Sequence, residues 1–122
     1  MFNNCTKLAS VPADLFKYSG TSAKNFTYAF MGCKSLKTIP SGLFSSNTKA
    51  TDFSHVFRGC TSLTTIPSDL FANNANATSY DCAFLGCSSL TTIYDEMFGT
   101  NTNSVSFQNT FSNCTSLTTI PS

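Results

Sequence analysis

Residues 57–67 read Phe57-Arg58-Gly59-Cys60-Thr61-Ser62-Leu63-Thr64-Thr65-Ile66-Pro67, and variants of this stretch stand at 2–12, 30–40, 84–94 and 111–121. The cysteines of the pattern are residues 5, 33, 60, 87 and 114, so the period is 28 residues once and 27 thereafter. Three residues after each stands a leucine (Leu8, Leu36, Leu63, Leu90, Leu117), and three further on Val11, Ile39, Ile66, Ile93 or Ile120. Proline follows at 12, 40, 67 and 121, with Tyr94 as the exception. Outward from this stretch each unit continues with a pair (Leu15-Phe16, Leu43-Phe44, Leu70-Phe71, Met97-Phe98), a polar loop, and an aromatic at Phe26, Phe53, Tyr80 or Phe107. The closing Phe column is 2, 30, 57, 84 and 111, so all twelve phenylalanines occupy three columns of the repeat.

A fixed period of this length is the mark of a stacked array, in which each unit is too poor in apolar residues to close a core alone. The chain reads as a single domain over 1–122: units 5–32, 33–59, 60–86 and 87–113, a partial unit 114–122, and the end of a preceding unit at 1–4. Within a unit, Ser62 to Pro67 is rich in β-formers and stops at a residue that cannot donate to a ladder, which predicts a short strand. At Phe53 to Phe57 the positions zero, three and four after the aromatic are apolar, the spacing of one helical turn. Asn4, Gly32, Gly59, Gly86 and Asn113 follow, the residue types that most readily take the left-handed conformation ending a helix. The expected fold is therefore a repeat solenoid of leucine-rich-repeat type, with short parallel β-strands and one helical turn per 27-residue repeat.

Composition narrows the function. The chain has 122 residues, seven Lys+Arg against six Asp+Glu, and a net charge of +1, too little to neutralise a phosphate backbone. Nucleic acid is not an expected partner. No stretch approaches the length of a transmembrane helix, so no membrane insertion is expected in this segment, and any signal or anchor lies outside it. Its 36 Ser+Thr and 11 Asn against 11% charged residues give a hydroxyl-rich surface of the kind common in secreted β-rich proteins.

The motif Phe-x-Gly-Cys-x-Ser-Leu-x-Thr-Ile-Pro at 57–67 and its copies resembles the BspA-like, Treponema-type leucine-rich repeats of bacterial surface proteins. The unit here is longer than that family's commonest form, with the extra length in loops such as 45–48 and 72–76. The resemblance implies a fragment of an extracellular, cell-surface adhesin that binds a host protein or glycan, with no catalytic residues to carry over.

The cysteine ladder places thiols in a row, whereas structural zinc needs Cys pairs close in sequence whose thiolates converge, so no metal or other cofactor is expected. An odd count of in-register thiols reads instead as buried corner-fillers. His55 is the single histidine. It is the single imidazole base open to any Ser or Cys nucleophile; a dyad with Cys82, its neighbour one repeat on, can be imagined, and a surface column of unrelated residues explains both without chemistry. Adjacent Asp95 and Glu96 face different ways on a regular element, so they form no acid–base pair. The chain is expected to be no enzyme. The candidate binding face is the hydroxyl ladder of Lys37, Thr38, Thr64, Thr65, Thr91 and Thr92, with adjacent residues on opposite sides of a strand. An alternative reading is a structural subunit that self-assembles head to tail into a fibre, through edges at Phe2 and Leu8 and at Leu117 and Ile120.

Overall fold

The computed structural model describes residues 2–17, 23–99 and 105–118. Successive units lie on one another at one period's offset. Phe2, Phe30, Phe57, Phe84 and Phe111 form a column of stacked rings with centroids 5.3–5.6 Å apart. Phe26, Phe53, Tyr80 and Phe107 form a second, at 5.5–5.6 Å. Phe16, Phe44, Phe71 and Phe98 form a third, and its rings meet those of the second edge-on or tilted, as at Phe44 and Phe53, 5.0 Å apart and inclined 68°. Offset stacking along columns and edge contacts between them are the arrangements the aromatic quadrupole favours, each contributing roughly 0.5–1.5 kcal/mol beyond burial. Leu36, Leu63, Leu90 and Cys33, Cys60, Cys87 complete the core and are fully buried.

The backbone corrects the expected fold class. Among the described residues there is no sheet: the parallel pairing is confined to isolated bridges linking Asn25, Asp52, Ser79 and Ser106. The one helix among the described residues is a short 3-10 segment, Asp95–Phe98, in the Met97-Phe98 pair of one unit rather than at the aromatic edge. The chain is thus not a regular leucine-rich-repeat solenoid of parallel strands with a helical turn in each repeat. It is a stack of units built from turns.

The expected strand fails because the Leu63 to Pro67 stretch makes too few bonds to its neighbours. Each unit offers one N–H per neighbour there (Thr64 to the Lys37 carbonyl at 3.4 Å, Thr91 to Thr64 at 3.2 Å), and none is returned. A parallel strand needs evenly spaced bonds in both directions.

The expected helical turn is replaced by consecutive β-turns. The Val56 N–H donates to the Phe53 carbonyl, and that of Cys60 to Phe57. The third residue of each turn has positive φ, +59° at His55 and +74° at Gly59, and the second does not, the signature of type II turns. The remaining N–H groups point to the next unit: Phe53 to Ser79, His55 to Asp81, Phe57 to Ala83, Gly59 to Leu85. Donors therefore alternate between the unit's own turns and the next unit. The Gly/Asn column does take the left-handed conformation, but it closes turns. A Cβ built on Gly59 would come no closer than 3.7 Å to the nearest atom, Gly32 N, so the dihedral rather than space selects glycine there.

Side chains add bonds between units. Each core cysteine donates its S–H to the carbonyl of the Phe column one unit back: Cys60 to Phe30, Cys87 to Phe57 and Cys114 to Phe84, at 3.1–3.2 Å. Asn74, fully buried, donates through Nδ2 to the carbonyls of Asn47 and Phe44. Thr110 donates to the Tyr80 carbonyl at 3.0 Å.

Candidate binding face

The Leu-to-Pro stretches place the candidate residues side by side along the stack. Lys37, Thr38, Thr64, Thr65 and Thr91 are exposed and Thr92 is half-buried. Adjacent residues of the segment are both accessible, so both Thr columns reach solvent. The columns differ in their bonding. Thr91 Oγ1 donates to the Thr64 carbonyl and Thr118 Oγ1 to that of Thr91, both at 3.3 Å. Thr38, Thr65 and Thr92 make no such bond among the described residues, which leaves their hydroxyls for solvent or a ligand. Beside them run the columns Thr6, Lys34, Thr61, Ser88, Thr115 and Lys7, Ser35, Ser62, Ser89, Ser116. Ser35 Oγ donates to the Thr6 carbonyl and Ser116 Oγ to that of Ser88, so the last of these columns also ties units together.

Of the end edges, Phe2, Leu8 and Leu117 are half-buried and pack on the core, while Ile120 lies outside the described residues. Phe107 is 46% exposed, against at most 2% for Phe26, Phe53 and Tyr80 in its column.

The thiols are all unpaired with one another. Burial pushes the Cys60 thiol up to about 12, helped by Cys33 nearby, and raises Cys33, Cys87 and Cys114 as well. They are donors to backbone, not nucleophiles. Cys82 is half-buried. His55 stacks on Tyr28 with ring centroids 4.7 Å apart, and its Nδ1 lies 3.3 Å from Arg58 Nη1; no hydrogen bond joins it to Cys82. Partial burial and the Arg58 charge lower its pKa. Among the described residues no group of three or more His, Cys, Asp or Glu could hold a metal ion. No described helix is long and apolar enough to cross a membrane.

Two features of this surface escaped the residue-by-residue reading. Tyr28, His55, Cys82 and Asn109 all have φ between +56° and +60°, a left-handed column in which only His and Asn are residue types enriched in that conformation. The charges are also segregated. Residues 1–58 hold all seven basic residues with Asp14 and Asp52, a net +5, whereas residues 59–122 hold Asp69, Asp81, Asp95 and Glu96 with no basic residue, a net −4. The comparison with known proteins found no matching family model, curated protein or solved structure.

Proposed function

We propose that the chain is a non-enzymatic binding scaffold of the cell surface, an adhesin-type module that contacts a protein or glycan through the face of Lys37, Thr38, Thr64, Thr65, Thr91 and Thr92. The observation that carries this reading is the unbonded hydroxyl column of Thr38 and Thr65, both exposed, and Thr92, half-buried, set on a packed stack beside a column in which Thr91 and Thr118 spend their hydroxyls on the preceding unit. A repeated polar face on a packed core is a broad platform whose groups are already in place, which reduces the ordering cost of binding. The extracellular placement is supported by the hydroxyl-rich composition and by the resemblance of the Phe-x-Gly-Cys motif to surface-protein repeats. Buried, protonated thiols would persist as thiols in an oxidising compartment. The test is binding of the purified chain to an array of matrix proteins and glycans, repeated with T38A/T65A/T92A. Loss of at least tenfold in affinity with unchanged thermal stability is the expected result; unchanged binding to every ligand would remove this face from consideration.

A second reading, end-to-end assembly, is favoured by the exposed Phe107 ring and by the N–H groups of Phe107, Asn109, Phe111 and Asn113, which have no acceptor among the described residues. Setting Phe2 of a second copy over Phe111 in the repeat register puts its Cys5 thiol at the Phe111 carbonyl but leaves Phe107 uncovered. That contact is weaker than an internal one. Light scattering across a hundredfold concentration range tests it: a strictly constant monomer mass excludes assembly by this route.

A further inference from the structure

We infer that the ligand of this face is an anionic polysaccharide, held at the N-terminal part of the face by Lys7, Lys34 and Lys37; the inference rests on the face proposed above. All three lysines are exposed, and none makes an ion pair among the described residues. They sit together in the stack. The Ser35 to Thr6 bond joins the first and second units next to Lys7 and Lys34, and the Lys37 N–H donates to the Ala9 carbonyl at 3.3 Å. Their columns contain no Asp or Glu in any unit, so nothing on the face neutralises them. Every other position along the four columns is Ser, Thr or Ala.

Three ammonium groups on adjacent units, with no counter-charge, concentrate positive potential on one patch, in a half of the molecule that carries +5 overall. An anion relieves that repulsion. The patch then gives way, along the stack axis, to uncharged hydroxyls at Thr64, Thr65, Thr91 and Thr92. A linear ligand lying along the axis would meet charge first and hydroxyls next, which suits a polymer bearing both carboxylate or sulfate groups and sugar hydroxyls. Base-stacking aromatics, on which single-stranded nucleic acids rely, are absent from these columns, and so are apolar side chains that would enter a lipid surface.

The experiment is a titration of the whole chain with dextran sulfate, polygalacturonate and neutral dextran at 50 mM NaCl, by calorimetry or biolayer interferometry. Alongside the unaltered chain run K7Q/K34Q/K37Q and the off-face control K24Q/K49Q/R58Q, which removes the same charge. Binding to one or both acidic polymers, weakened about tenfold or more by K7Q/K34Q/K37Q and by 0.5 M NaCl but less than threefold by the control, is the expected result. Preference for dextran sulfate assigns a sulfate ligand, and preference for polygalacturonate a carboxylate one. Equal weakening by both triple variants, equal binding of neutral dextran, or tighter binding of single-stranded DNA would overturn the inference. Failure of all acidic polymers while T38A/T65A/T92A abolishes binding of another ligand would overturn it and leave the face standing. If no ligand responds to either set of face variants, the face itself falls.

Discussion

Tyr80 stands in a column otherwise occupied by phenylalanine, and its hydroxyl has nothing to bond. The residue is 1% exposed, and its OH makes no hydrogen bond. Its ring lies between Phe53 and Phe107 at 5.6 and 5.5 Å and meets Phe71 and Phe98 at 4.7 Å, so four aromatic rings pack on it. Burial raises its pKa well above the ordinary phenolic value, as expected for a group kept from water. Leaving a buried hydroxyl unsatisfied costs about 1–3 kcal/mol. Replacing Tyr80 by Phe removes that cost and opens a space of one oxygen atom, worth about 0.3 kcal/mol at roughly 24 cal/mol per Å³. The neighbours in the column show that a phenyl ring fits the site. Y80F is therefore expected to stabilise the chain by about 1–2 kcal/mol, seen as a higher urea midpoint at constant m and a melting temperature raised by roughly 3–10 °C. Destabilisation by more than about half a kcal/mol would refute the reasoning, since it would mean the hydroxyl has a partner, such as an enclosed water, whose bond outweighs its desolvation.

Truncating Phe57 to Ala, in the middle of its column, should cost about 3–5 kcal/mol in urea unfolding. Gly59→Asn should be tolerated with a loss of under about 1 kcal/mol, because Asn4 and Asn113 take the same conformation in that column; Gly59→Val, β-branched at φ +74°, should cost clearly more in the same assay. In the native chain, Cys5 and Cys82 should react with a thiol reagent at pH 8 well before Cys33, Cys60, Cys87 and Cys114, with all six reacting in urea. The buried thiols have raised pKa values in the fold, so the unfolded chain ionises first, near 9. Their contribution to stability is whole below about 9 and is lost as pH rises towards 12, where Cys60 ionises in place. A stability profile flat between pH 8.5 and 11 would contradict that linkage.

The core was legible because repetition removes the ambiguity of any single unit. A lone Phe57 could sit anywhere, but five phenylalanines at one register must share an environment, and the structure stacks them. What the residue types did not carry was the backbone between them. Tyr28 and Cys82 are of types with no preference for positive φ; they and His55 take it because the Tyr28 N–H is fixed on Ser54, that of His55 on Asp81 and that of Cys82 on Gln108. Bonds between units outweigh a left-handed penalty of about 1–2 kcal/mol at each position. The apolar spacing that suggested a helical turn is real, but two linked β-turns bring positions zero, three and four inward just as a helix would. On the candidate face, the Thr columns and Lys37 were visible as a period, whereas Lys7, Lys34 and the charge segregation were hidden by a chain-wide sum: a net +1 conceals +5 against −4.

The absence of strands among the described residues bears directly on how such a face could work. In a sheet, alternate residues point to opposite sides, and only every second position would reach a ligand. Here one weak N–H bond per unit holds the Leu-to-Pro stretch, and the rest of its support comes from Leu63 and Ile66, both buried, on either side of the exposed pair Thr64 and Thr65. The stretch is anchored by side chains below and left polar above. Two neighbouring positions per unit are thereby accessible, and of these the Thr38 and Thr65 column keeps its hydroxyls unbonded while Thr91 and Thr118 spend theirs on the preceding unit. It also leaves the backbone of this stretch short of partners: one carbonyl per unit, such as that of Thr64, accepts from Thr91 through both its N–H and its Oγ1. Thr91 and Thr118 thus each bind their predecessor twice, through N–H and Oγ1, whereas Thr64 and Lys37 bind theirs through the N–H alone, which leaves the Lys37 side chain free to carry charge.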